Sequence, residues 1–144
     1  MRMLSTLLVA CALCQVAPVA ALTQHTTSRG EPAVSGGIGA EEIEVLRQQR
    51  SRYSLRILTA ARGSGAYLAG VMVTVADTRG TVLLEARADG PWMMLMLKPG
   101  EYRVTVRYEG AAQERRTQID KDGSRELVFY FNEAVERLPK GATE

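Results

Sequence analysis

Few residues in this 144-residue chain could do covalent or metal chemistry, and their positions restrict that chemistry sharply. The two cysteines, Cys11 and Cys14, stand close together near the amino terminus, and the one histidine is His25. A Ser-His-Asp or Cys-His nucleophile needs a histidine set among partners in a folded core, and a zinc site needs several His or Cys ligands. Neither can be assembled from one histidine in a polar stretch. Paired carboxylates remain as the chemistry of glycoside hydrolysis. Asp77, Asp89, Asp120 and Asp122 all fall in turn-forming contexts, however, where Asp serves its own backbone. The chain is therefore read as a non-enzyme that needs no cofactor.

Two further groups carry possible binding chemistry. Trp92-Met93-Met94-Leu95-Met96-Leu97 is apolar on both faces of an expected strand. One explanation is a central strand covered on its far side by a helix or by the tail. The other is a Met-rich patch formed by Trp92, Met93, Met94 and Met96 that accepts a protein partner, since thioether side chains adapt to varied surfaces. Copper(I) held by Met94, Met96 and Met72 is chemically conceivable, but no histidine or denser Met motif accompanies them. Gly36-Gly37-Ile38-Gly39 precedes a helix, yet it follows no expected strand and lacks the Lys-Ser/Thr of a phosphate loop, so it reads as a flexible hinge.

Charge adds an exclusion. The whole chain carries +2, and removing Arg2 with a leader leaves +1. Arg is spread evenly among Glu and Asp, unlike the clustered cations that neutralise nucleic-acid phosphates. Arg56, Arg103, Arg107, Arg115 and Arg116 could form a ladder on a wet sheet face, but Glu101, Glu109 and Glu114 are interleaved with them. An ion-paired, solvated face is the expectation.

Residues 1–21 have the form of an export signal: Arg2, an apolar run from Leu4 to Ala17, then Val19 and Ala21 at the −3/−1 spacing of signal peptidase. The apolar run, broken by Gln15 and Pro18, is too short to span a bilayer. Cleavage near Ala21 would place the domain in a bacterial periplasm with both cysteines removed. Leu8-Val9-Ala10-Cys11 also reads like a lipobox, which would instead anchor the chain as a lipoprotein at Cys11.

These residues must be positioned by a small domain. Residues 22–39, rich in Thr, Ser, Gly and Pro, read as a flexible linker. Residues 40–51 carry Glu41, Glu42 and Glu44 early and Arg47 and Arg50 late, the charge order of a short helix. From Tyr53 the period becomes two, and seven strands are expected: near Tyr53–Ala60, Val71–Ala76, Thr81–Arg87, Trp92–Leu97, Glu101–Tyr108, Gln113–Ile119 and Glu126–Phe131. Asp77–Gly80, Asp89-Gly90-Pro91, Lys98-Pro99-Gly100 and Lys121–Ser124 supply the turns. This is the pattern of an all-β, antiparallel Greek-key sandwich over residues 52–132, with a charged tail at 133–144.

The run Leu68–Val75, Asp77, Gly80, then Asp89-Gly90, then Leu97-Lys98-Pro99-Gly100-Glu101-Tyr102-Arg103-Val104-Thr105-Val106 resembles the carboxypeptidase regulatory-like domain, over about 80 residues from Tyr53 to Phe131. The resemblance implies a transthyretin-like (prealbumin-like) seven-stranded sandwich, and it implies structural roles for Asp77, Gly80, Asp89, Gly90, Pro99 and Gly100. It also implies an accessory module, here standing alone. Transthyretin-like hydrolases of a purine breakdown product depend on histidines that this domain lacks. The expected function is protein binding or scaffolding in the cell envelope through the Trp92–Leu97 strand or an open sheet edge. The alternative is a small-molecule or glycan carrier using the inter-sheet end near Asp89–Trp92. The processed protein is expected to begin at Leu22 with no lipid, which its intact mass checks; a lipidated Cys11 terminus would show as an added acyl mass.

Overall fold

The computed structural model describes residues 22–133. The expected leader, with its cleavage site at Ala21 and Cys11, and the tail beyond Glu133 lie outside the described residues. Within them the chain is mostly β, built as two sheets of five and four strands that do not close into a barrel.

All seven expected strands form. They are β3 (Leu55–Ala61), β4 (Met72–Asp77), β5 (Val82–Arg87), β6 (Trp92–Leu95), β7 (Gly100–Tyr108), β8 (Ala111–Ile119) and β9 (Arg125–Phe131). Alternation decides their faces. In β7, Tyr102, Val104 and Val106 are buried while Glu101 and Arg107 are exposed. The β4–β5 hairpin turns where Asp77 Oδ1 accepts the Arg79 and Thr81 amides, both at 2.9 Å, and Gly80 takes a φ of 82° that disfavours a Cβ.

The expected linker is a correction. Residues 23–36 form two more strands, β1 (Thr23–Thr26) and β2 (Pro32–Gly36), so the described domain has nine strands rather than seven. The five-stranded sheet runs β1-β2-β6-β3-β9 and the four-stranded sheet β5-β4-β7-β8. Their composition concealed β1 and β2 because the hairpin lies at a sheet edge. One face of β1 is wet, and β2 fills its inward positions with Ala33 and Ser35 rather than large apolar residues. The expectation of a wholly antiparallel sandwich is also corrected: β3 and β9 pair in parallel from Leu55↔Arg125 to Ala61↔Phe131. A parallel pair has no connecting hairpin, so no local turn announces it.

The core lies between the sheets. Leu55, Ile57, Met93, Leu95 and Phe129 from one sheet meet Val73, Val75, Val104 and Val106 from the other, and all are essentially inaccessible. Isolated contacts rather than ladders close the two open seams. At one, Gln113 Nε2 donates to the Tyr130 carbonyl at 2.6 Å, Arg125 Nε donates to the Gln118 carbonyl at 3.1 Å, and the Arg115 guanidinium lies 4.8 Å from the Phe129 ring centroid. At the other, the Ser28 amide donates to the Leu83 carbonyl at 2.8 Å, hooking the β1–β2 turn onto β5.

That turn carries a buried carboxylate. Glu31 is 6% exposed, and its carboxylate accepts from Arg29 Nε at 2.7 Å, Arg29 Nη2 at 2.9 Å, the Thr27 hydroxyl at 3.0 Å and the Lys98 amide at 2.9 Å. Arg29 Nη2 also donates to the Tyr102 hydroxyl at 2.9 Å, and that hydroxyl donates on to the Lys98 carbonyl. One carboxylate thereby joins the β1–β2 turn to the Lys98-Pro99-Gly100 turn and to β7. Burial pushes the Glu31 carboxyl upward, but the hydrogen bonds from Arg29, the Lys98 amide and Thr27 outweigh it and hold it below the usual carboxylate range. Glu31→Ala is expected to cost about 2–4 kcal/mol near neutral pH, since it strands Arg29 and the Lys98 amide. Because the folded carboxyl is depressed, its contribution is complete above the ordinary glutamate range and is lost as pH falls through and below that range. Urea titrations should therefore show the gap between wild type and Glu31→Ala narrowing on acidification.

Candidate functional site

The loop between β2 and the helix begins the candidate site. Gly37 and Gly39 take φ of 101° and 92°, which turn the chain sharply off the sheet. The freed Gly37 and Ile38 amides donate to Glu42 Oε2 at 2.9 and 3.0 Å. This corrects the reading of the glycine run as a hinge that follows no strand: it follows β2 and is tied down from the first turn of α1. Donors that a phosphate loop would offer to an anion are here satisfied by the chain's own carboxylate.

Helix α1 (Ala40–Gln49) follows, continued by a single 3-10 turn at Arg50–Arg52. Glu44 and Arg47 pair at 3.0 Å. The helix buries Leu46 against Val34, Tyr53 and Met94, on the face of the five-stranded sheet that points away from the main core. Strand β6 is consequently apolar on both sides because both sides are covered. Met93 pairs with Ser35 and Ile57 in the inter-sheet core, while Met94 lies under α1.

The candidate patch is thus split by depth. Met93 is sealed in the core between the sheets and Met94 is all but covered beneath α1, so neither forms an exposed patch, whereas Trp92 and Met96 are half-buried. Met72 belongs to the other sheet, so the three methionines considered for copper do not converge. Among the described residues, no three His, Cys, Asp or Glu side chains gather as a metal site.

Between α1 and the end of β6 lies a cleft of about 80 Å³. Ile43, Leu46, Trp92 and Met94 form its apolar floor, Tyr67 one wall, and Arg47 and Arg50 its rim. Tyr67 comes from the β3–β4 connection, where it bridges Ala60, and is 54% exposed. Ile38 stands 62% exposed in the loop entering the helix. Arg50 reaches Glu126 at 3.2 Å, and that same carboxylate pairs with Arg56 at 3.2 Å. Sequence reasoning missed Ile43, Arg47, Arg50 and Tyr67 as members of this site. An isolated tyrosine between turn glycines was the available signal for Tyr67.

The arginines considered for a ladder do not share one face. Arg56 is buried beside Glu126 in the five-stranded sheet, and Arg115 turns over Phe129. Arg103 and Arg116 sit opposite each other in the four-stranded sheet, with Glu114 3.5 Å from Arg103. His25, which fell within the expected linker, sits on β1 with Nε2 2.9 Å from Ser35 Oγ. Ser35 is completely buried and also accepts the Asp89 amide at 3.4 Å, so this pair binds β1 to β2 and to the β5–β6 turn, and no substrate can reach the hydroxyl.

The structural residues hold the corner behind the cleft. Asp89 Oδ2 accepts the Thr23 hydroxyl, and the Pro91 carbonyl accepts the Thr59 amide at 3.0 Å. Gly90 lies against the Gly36 backbone so closely that a Cβ would sit 2.2 Å from the Gly36 carbonyl carbon. No family model matches the chain, and no curated protein matches it. No helix among the described residues is long and apolar enough to cross a membrane.

Gly90→Ala is expected to cost about 2–3 kcal/mol, because two backbones must separate. Gly80→Asn, at a turn position with open space around it, should stay within about 0.5 kcal/mol. Thermal or urea unfolding of the two variants side by side checks the contrast.

Proposed function

We propose that the chain is a non-catalytic β-sandwich of the bacterial cell envelope that binds a protein partner through the cleft between α1 and β6. The carrying observation is the convergence at one surface of a tryptophan, a tyrosine and two arginines around an apolar floor. Trp, Tyr and Arg are the residues that most often anchor protein interfaces, since each offers a large area together with a polar handle. Its floor rests on β6 and on a helix packed by Leu46, while Tyr67 is contributed by the β3–β4 connection. Trp92 and Met96 from the expected patch keep part of their surface at the exterior and pack with Met94, while Met93 faces the core between the sheets.

The fold is read as carboxypeptidase regulatory-like, with β3–β9 as the prealbumin-like Greek-key core and β1–β2 as an added hairpin. The leader's form supports export to the periplasm, and cleavage after Ala21 would leave Leu22 one residue before β1. Lipidation at Cys11 remains the alternative anchor.

A photoreactive residue at Tyr67 or, separately, at Trp92 in producing cells should give a discrete crosslinked protein, and the crosslink should vanish with Ile43→Glu, which charges the floor. Crosslinks found only within the chain, or a product indifferent to Ile43→Glu, would sink the reading.

A further inference from the structure

The β7–β8 hairpin turns on two residues, Glu109 and Gly110, beyond the last register pair Tyr108↔Ala111. Their φ values, 45° and 81°, are those of a type I′ turn. The first position of such a turn favours Asn, Asp or Gly, whose short or absent side chains tolerate left-handed backbone. Glu109 is the one non-glycine residue with positive φ among the described residues. A long carboxylate held there at a backbone cost points to what the carboxylate faces.

The hairpin overhangs an open cavity of about 330 Å³ at the corner where β3 and β9 end. Its rings are Tyr108 and Phe131, with centroids 5.8 Å apart, and Tyr130, which is 44% exposed. Glu109 and Glu133 contribute carboxylates, and Arg62 a guanidinium. Arg62 Nη2 and Gln113 Nε2 each donate to the Tyr130 carbonyl, at 3.3 and 2.6 Å, which anchors both side chains while leaving further N–H groups for a ligand. Desolvation, the Glu109 charge and a hydrogen bond to Glu109 push the Tyr108 hydroxyl above its ordinary range, so this hydroxyl helps to fix the Glu109 carboxylate at the cavity.

This mixture selects a ligand class. A cation would meet Arg62, and an anion would meet two carboxylates. A neutral ligand with hydroxyls pointing several ways and one apolar C–H face meets neither repulsion: its hydroxyls donate to Glu109 and Glu133 and accept from Arg62 and Gln113, while its C–H face lies on an aromatic ring. We propose that this corner binds a neutral saccharide of one or two pyranose rings. The site is separate from the α1–β6 cleft and stands whether or not that cleft takes a protein.

The processed chain, labelled with 15N, is titrated with maltose and with chitobiose at millimolar concentration. One of them should give saturable shifts confined to the amides of Tyr108–Ala111 and Tyr130–Asn132. Tyr130→Ala should weaken binding by at least about tenfold. Glu109→Asn should do the same while raising the melting temperature, because Asn suits the turn better than Glu; a purely structural Glu109 would show the thermal gain without the loss of binding. Absence of saturable shifts with both sugars, or wild-type affinity in either variant, would overturn the proposal.

Discussion

Glu31 sits where a lone carboxylate would be costly, almost wholly out of water, and it is kept charged there by four hydrogen bonds from three residues. Two of those donors belong to Arg29, a third to its own turn, and the fourth is the Lys98 amide at the entrance to β7. The four-stranded sheet is therefore attached to the five-stranded sheet by directional bonds at one end, in addition to the nondirectional core. Van der Waals packing of Val, Leu and Ile permits sliding between sheets; a bidentate guanidinium–carboxylate pair with a fixed amide donor does not. The Ser28 hook on Leu83 and the position of Tyr102 follow from that anchor.

With the edge hairpin held, β2 becomes a partner for β6, and β6 becomes an interior strand. Its run of apolar residues is then a requirement: Met93 and Leu95 complete the core between the sheets, and Met94 supplies a second, smaller core under α1. The helix is amphipathic over a narrow stripe and has little stability of its own at ten residues. It is held by Leu46 and by the Glu42 contact to the glycine loop. The cleft at its side exists because a helix laid on a strand end leaves a gap, which Trp92 and Tyr67 only partly fill.

Both candidate sites lie where the regular pattern stops. The α1–β6 cleft forms at the end of a central strand, and the aromatic corner forms at a hairpin whose turn residue is unsuited to its backbone. Sheet interiors in this domain are closed to ligands, and the buried hydroxyls of Thr59 and Thr74 that lack partners there face no cavity that opens to solvent. Strand ends and connections carry the exposed aromatics, Tyr67 and Tyr130, together with the arginines that surround them.

The sequence by itself determined the strands β3 to β9, the helix and the turns, because each of these is written in local periodicity and in residues such as Asp77-Thr78-Arg79-Gly80 whose own side chains close the turn. It also showed that Trp92–Leu97 is apolar on both faces, and left open cover by a helix, by the tail or by a partner. Only the tertiary structure decided which cover that was, and only it turned a Thr-, Ser- and Gly-rich stretch into two strands and the anchor of the fold. Thr27, Arg29 and Glu31 look like solvated loop residues until Lys98 and Tyr102, some seventy residues away in the chain, supply the groups that make their burial favourable. The parallel β3–β9 pair and the gathering of Arg62, Glu109 and Tyr130 are likewise contacts between distant segments. Local propensity reports what a segment can become on its own; pairing partners and buried charges are set by what the rest of the chain brings to them.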